Sequence, residues 1–149
     1  MQTSDEIVNF TFKFTAKNCS TTPVVEIKHN GKTLVEKTKI IDSTTIKLSV
    51  ALPINVVDCC KLEIVRSGFD GINEQLLTFE EFWIDDINVG ELCHLARFYP
   101  IYPEPWFSEQ KSQGVDWPEY HHGWTTWGWN GTWVLDYQTP IYTWLLKNV

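Results

Sequence analysis

Apolar and polar side chains alternate through most of the first two thirds of the chain, the period of half-buried antiparallel strands. Residues 7–15 place Phe10, Phe12 and Phe14 on one face and Asn9, Thr11 and Lys13 on the other. A polar turn is predicted from Asn18 to Pro23. Val25 and Ile27 then oppose Glu26 and Lys28, and Asn30-Gly31 supplies a tight hairpin turn with a return strand over 33–37, marked by Leu34 and Val35. Residues 43–52 alternate most regularly, with Ile46, Leu48, Val50 and Leu52 against Thr45, Lys47, Ser49 and Ala51. Pro53, which has no N–H for a ladder, ends that strand. Cys60, Leu62 and Ile64 mark the next, and Gly68 to Gly71 a turn. Residues 76–89 read as one strand broken near Asp85-Asp86, with Phe82, Ile84, Ile87 and Val89 facing inward.

The pattern changes after residue 96. Residues 97–123 hold four prolines and show no alternation, which argues against a strand or a long helix. The segment carries Phe98, Tyr99, Tyr102, Trp106, Phe107, Trp117 and Tyr120. So many aromatics predict a long loop packed on the domain, with a short helix over 106–113. Trp124 to Tyr137 then reads as a second hairpin turning at Asn130-Gly131. In that register Trp127, Trp129 and Val134 share one face, while Trp124, Trp133, Leu135 and Tyr137 share the other. Trp133 would pack over Gly128. Both faces would be aromatic, so the loop covers one of them or a ligand does. Thr139-Pro140 reads as an N-cap and first helical residue, opening a turn through Leu146 that buries Ile141, Trp144 and Leu145.

Regularly spaced strands without a helical period predict an all-β fold: a single antiparallel β-sandwich domain spanning 1–149, jelly-roll-like or immunoglobulin-like. The immunoglobulin Cys…Trp…Cys signature is absent. A chain of 149 residues can bury a core without metal or disulfides. Net charge is −7 with no Lys/Arg cluster, which excludes nucleic acid and anionic membrane as expected partners. No apolar run approaches a membrane span and no signal-peptide pattern opens the sequence, so synthesis and folding in a cytosol are expected. Cys59 and Cys60 are adjacent and would diverge on a strand; with Cys19 and Cys93 they read as reduced thiols. Sequons at Asn9, Asn18 and Asn130 mean little without secretion.

Candidate chemistry is sparse. His121 and His122 near Asp116 and Glu119, with His94 or Asp136 as further ligands, show no spacing that selects a metal. Glu80-Glu81 and Asp85-Asp86 offer carboxylates, but a glycosidase pair needs two across a cleft about 5–10 Å apart. No hydrolase, phosphate-loop or dinucleotide motif is present. No catalytic residue, metal or cofactor is expected. Two uses of the surplus aromatics remain. A saccharide site would stack sugar rings on Trp124, Trp133 and Tyr137, walled by Trp106, Trp117 and Tyr120. Alternatively, the rings form a second core or a protomer contact, since Tyr and Trp are enriched at interface centres.

Three segments carry a family resemblance: Ile84-Asp-Asp-Ile-Asn-Val89, Gly128-Trp-Asn-Gly-Thr-Trp133 and Pro140-Ile-Tyr-Thr-Trp-Leu-Leu-Lys-Asn148. Together they resemble a group of small β-sandwich proteins encoded by T-even-like tailed phages, marine ones especially. The resemblance covers roughly the last half of the chain, and the terminal segment is its most specific part. The 97–123 loop is longer than in the shorter members. The resemblance implies phage origin and a structural or decoration role on the virion, head or tail. The partners expected are other virion proteins or further copies of the chain, with a host-surface glycan as the second class.

Overall fold

The computed structural model describes residues 4–17 and 20–149. Cys19 and the Asn18 sequon, at the start of the expected polar turn, lie outside the described residues. The strands in chain order are β1 (Asp5–Lys17), β2 (Val24–His29), β3 (Lys32–Lys39), β4 (Ser43–Pro53), β5 (Asp58–Ser67), β6 (Leu76–Ile84), β7 (Ile87–Asn88), β8 (Arg97–Pro100), β9 (His121–His122), β10 (Thr126–Trp127) and β11 (Gly131–Thr139). A 3-10 segment covers Gly90–Leu95, and two helices, α1 (Trp106–Ser112) and α2 (Ile141–Asn148), complete the fold.

Two antiparallel sheets face each other. One runs β10-β6-β1-β4 with β7 also on β6, and the other runs β3-β2-β5-β11-β8-β9. Alternation explains how they meet. Phe10, Phe12 and Phe14 of β1 point inward, as do Leu62 and Ile64 of β5 and Val25 and Ile27 of β2, all 1% exposed or less. The rings interlock, with Phe12 and Phe82 centroids 5.3 Å apart and Trp133 edge-on to Phe79 at 5.3 Å. Each such side chain contributes about 1.5–3 kcal/mol of burial, so this slab is the main source of stability. The all-β sandwich expected from the alternation is the fold observed.

Turn chemistry decides the connections. Asn30 and Gly31 both have positive φ (50° and 81°), as a type I′ turn requires, and join β2 to β3. Asp85 also has positive φ (51°) and makes the break expected near Asp85-Asp86 a full reversal, so β7 folds back on β6. Consequently Val89 is buried but Ile87 is 45% exposed. Glu80 is the extra residue of a β-bulge: Lys13 pairs with Glu81 and Phe14 with Phe79. The bulge lets Phe79 and Phe82 both face the core although they are three residues apart.

The Trp124–Tyr137 hairpin does not form. β10 pairs with β6 in one sheet, while β11 pairs with β5 and β8 in the other. The chain therefore crosses the sandwich at 128–130, and neither Asn130 nor Gly131 has positive φ. Two forces decide this. Trp127 and Trp133 are both fully buried, which two strands of one hairpin would not allow at opposite-face positions. Asn130 also spends its side chain elsewhere. Its Oδ1 accepts from Arg66 Nη1 and from the Phe69 N–H, each at 2.9 Å, and its Nδ2 donates to the Phe69 carbonyl. Arg66 is 1% exposed and also donates to the Gln75 carbonyl at 3.0 Å, tying β5 to the crossover. Within β11 the expected alternation holds: Trp133, Leu135 and Tyr137 face the core, with Asp136 and Gln138 outward.

The 97–123 segment also departs from a structureless loop. Its first four residues form β8, hydrogen-bonded to β11 through Arg97↔Val134 to Pro100↔Gly131. The short helix appears as α1. At the C-terminus Thr139 is still strand, its hydroxyl donating to the Val56 carbonyl at 2.7 Å. Pro140, rather than Thr139, is the N-cap of α2. Ile141 and Leu145 are buried and Trp144 half-buried, the face expected.

Candidate functional site

Beyond β8 the chain builds an aromatic cluster outside the sandwich core. Glu104 accepts from the Ser108 hydroxyl at 2.6 Å and its N–H at 3.3 Å, fixing the first turn of α1. The helix presents Trp106 and Phe107, and the following loop returns Trp117, whose Nε1 donates to Gln110 Oε1 at 3.3 Å. Tyr102 sits at the centre: Phe107 stacks on it at 4.9 Å and Trp129 meets it edge-on at 5.2 Å. Trp106 lies 5.2 Å from Trp117 and 5.3 Å from Trp129. The Tyr102 hydroxyl donates to the Pro118 carbonyl and accepts from His121 Nε2 at 2.9 Å. Burial raises the Tyr102 pKa and lowers that of His121, so both stay neutral near pH 7. Each of Tyr102, Trp106, Phe107, Trp117 and Trp129 remains only partly buried. The result is a held aromatic face, partly open to solvent.

The six residues expected to bind a saccharide separate into three environments. Trp106 and Trp117 belong to the open cluster. Tyr120, 37% exposed, lies beside Tyr99 (5.3 Å) and over the Arg97 guanidinium, which is 5.7 Å from its ring. Trp124 is half-buried, stacked on His121 at 3.6 Å, beside a shallow depression of about 380 Å³ formed with Gly123, Thr125 and Thr126. Trp133 and Tyr137 are 1% and 3% exposed. They lie between the sheets and are closed to a sugar, so the Trp124–Trp133–Tyr137 platform is not formed. Nor does the loop fold over them; the opposing sheet does. Tyr102, Trp129 and Arg97 join these surfaces without a sequence signal that marks them for a site. The hairpin register puts Trp129 on a strand face, and Arg97 has no local signal because its partner, Asp136 at 2.6 Å, is on β11.

The carboxylates and histidines are engaged separately. Glu81 accepts from Trp83 Nε1 at 3.1 Å and pairs with Lys13 at 3.3 Å, and these partners lower its pKa. Asp85 accepts from the Asn9 N–H at 2.9 Å and from the Tyr142 hydroxyl, whose pKa that bond raises to about 12. Asp85 and Asp86 border an open polar cleft of about 690 Å³ with Asn9, Thr11, Lys47 and Ser49. His94 contacts the Glu91 carbonyl, and His122 meets Tyr120 edge-on at 5.3 Å. Among the described residues no three His, Cys, Asp or Glu side chains gather to hold a metal ion. Cys59, Cys60 and Cys93 are free thiols, and burial raises Cys93 to about 11. No helix among the described residues is long and apolar enough to cross a membrane.

No protein-family model matches the chain, and neither does any curated protein or solved structure. The phage resemblance therefore rests on its three sequence segments alone.

Proposed function

We propose that this protein is a non-enzymatic structural subunit that works through protein–protein contacts, in the setting its C-terminal segments suggest, a phage virion. One observation carries the reading: Tyr102, Trp106, Trp117 and Trp129 form a cluster held by its own hydrogen bonds yet left partly in solvent. Large rigid rings lose little entropy on docking, and Trp and Tyr dominate the energy of interface centres. Mass spectrometry of purified particles of the encoding phage tests the setting. The chain should be present at a fixed ratio to other virion proteins, and its absence sinks the virion role. Trp106→Ala should fold and yet fail to incorporate.

A second reading, carbohydrate binding, has its own support. Tyr120 exposes ring surface against Arg97, which is itself paired with Asp136, so a charged hydrogen-bonding group lies at the edge of an aromatic face. On that reading a glycan array gives saturable binding that Tyr120→Ala abolishes and Trp106→Ala leaves intact. No response across the array removes it.

A further inference from the structure

The ends of the two sheets are unequal. In the second sheet β3 carries Lys32, Glu36, Lys37 and Lys39 and pairs with β2 through irregular register, and β9 is two residues long. Charge, irregularity and shortness are the devices that stop an edge from recruiting another strand. In the first sheet β10 is equally short. β4 is different: eleven residues in unbroken register with β1, with Lys47 its one charged side chain.

Hydrogen-bond phase shows which groups β4 offers. Ala16 N–H donates to the Asp42 carbonyl (2.8 Å) and Ile54 N–H to the Ser4 carbonyl (3.2 Å). With the register continuous between them, the even-numbered residues of β4 bond to β1. The N–H and C=O groups of Thr45, Lys47, Ser49 and Ala51 therefore point away from the sheet, without backbone partners among the described residues.

The geometry points to β4 as a self-pairing edge, on which a second copy of this chain lays its own β4 antiparallel about a two-fold axis near Leu48. Register follows from charge. Centring the axis on Lys47 would set that lysine against its own copy, which is unfavourable. Centring it on Leu48 sets Lys47 opposite the second copy's Ser49. Ser49 in turn hydrogen-bonds Asn9 at 2.6 Å, and the Asn9 N–H donates to Asp85 at 2.9 Å. Each Lys47 thus approaches the polar cleft of the other protomer, where Asp85 and Asp86 already face that protomer's own Lys47, so that two carboxylates stand against two lysines. The same axis brings the Ile41 end of one β4 to the Ile54 end of the other, two apolar side chains 65% and 44% exposed in the single chain. About eight main-chain hydrogen bonds form in this register, two for each narrow pair. The two first sheets become one continuous sheet across the dimer, and the aromatic cluster takes no part.

Sedimentation of the full chain with amide hydrogen exchange tests this. The wild type should sediment as a dimer of 17.3 kDa chains. In it the amides of Thr45, Lys47, Ser49 and Ala51 should be as protected as those of Ile46 and Leu48. Thr45→Lys with Ala51→Lys alters two exposed side chains that face each other across the axis. That variant should be monomeric, with the odd-numbered amides exchanging at least about tenfold faster and the even-numbered ones unchanged. Gln138→Lys with Thr143→Lys, of equal charge, should remain dimeric, as should Trp106→Ala. A wild-type chain that is monomeric up to about 100 μM overturns the inference whatever the variants do. So does a dimer whose odd-numbered β4 amides exchange freely, or one that Thr45→Lys with Ala51→Lys leaves intact.

Discussion

Gly131 separates two accounts of the same Asn-Gly dipeptide. In a hairpin it would be required for positive φ, and asparagine, which tolerates that conformation, would replace it at small cost. In the structure its φ is ordinary and the constraint is space. A Cβ built there lies 2.4 Å from the Tyr99 carbonyl oxygen, 2.7 Å from Phe98 Cζ and 2.9 Å from Pro100 Cα. Two of these atoms are backbone of β8, which pairs with β11 at this point, so they cannot swing aside. Phe98 is itself held, stacked on Trp127 at 5.1 Å. Overpacking costs typically 1–3 kcal/mol, and with immobile neighbours Gly131→Ala belongs at about 3 kcal/mol or above. Gly131→Asn should be no milder, because any Cβ meets the same atoms. At roughly 3 °C per kcal/mol for a chain of this size, Tm should fall by about 9 °C or more. Gly31 is the control: its φ is +81° and a Cβ there meets nothing within 4 Å. Gly31→Asn should therefore cost well under about 1 kcal/mol. Urea unfolding followed by Trp fluorescence measures all three. Gly131→Asn as mild as Gly31→Asn would refute the crossover and restore the hairpin.

Two further outcomes follow from buried polar groups. His29, 6% exposed and sharing a 2.5 Å hydrogen bond with Tyr137, has its pKa lowered by burial, so below about pH 6.5 the unfolded chain binds a proton that the folded chain refuses. Stability should therefore rise with pH through the window below about 6.5 and level off above it, by at most about 1.4 kcal/mol per unit from this residue. His121, lowered for the same reason, adds in the same direction. His29→Gln should flatten the profile, and a wild-type-minus-variant difference that stays constant between about pH 5 and 7.5 contradicts the assignment. The second outcome compares two core tryptophans. Trp127 Nε1 donates to the Trp124 carbonyl at 2.8 Å, while the buried Trp133 Nε1 has no hydrogen-bond partner among the described residues. Trp127→Phe leaves a carbonyl unpaired, whereas Trp133→Phe removes an unsatisfied donor. Trp127→Phe should be the costlier by about 1–2 kcal/mol in urea unfolding, and equal or reversed costs count against this account.

Local chemistry was enough wherever one face of a strand is buried. Phe10, Phe12 and Phe14, the Asn30-Gly31 turn, the inward set Trp133, Leu135 and Tyr137, and the Ile141–Leu145 face of α2 are legible because period and turn residues act between near neighbours. The all-β sandwich was legible for the same reason. The tertiary structure alone decided which strands pair. The strength of Asn130-Gly131 as a local turn signal yields to contacts remote in sequence: Arg66 and Phe69 claim the Asn130 side chain, and Trp127 and Trp133 enter one core from opposite sheets. The candidate site divides along the same line. The loop's aromatics announce a packed segment, yet whether a given ring ends in the core, as Trp133 does, or in a half-open cluster, as Trp106 does, depends on strand pairing. Burial is a property of where the sheets meet, and no window of sequence contains both sheets.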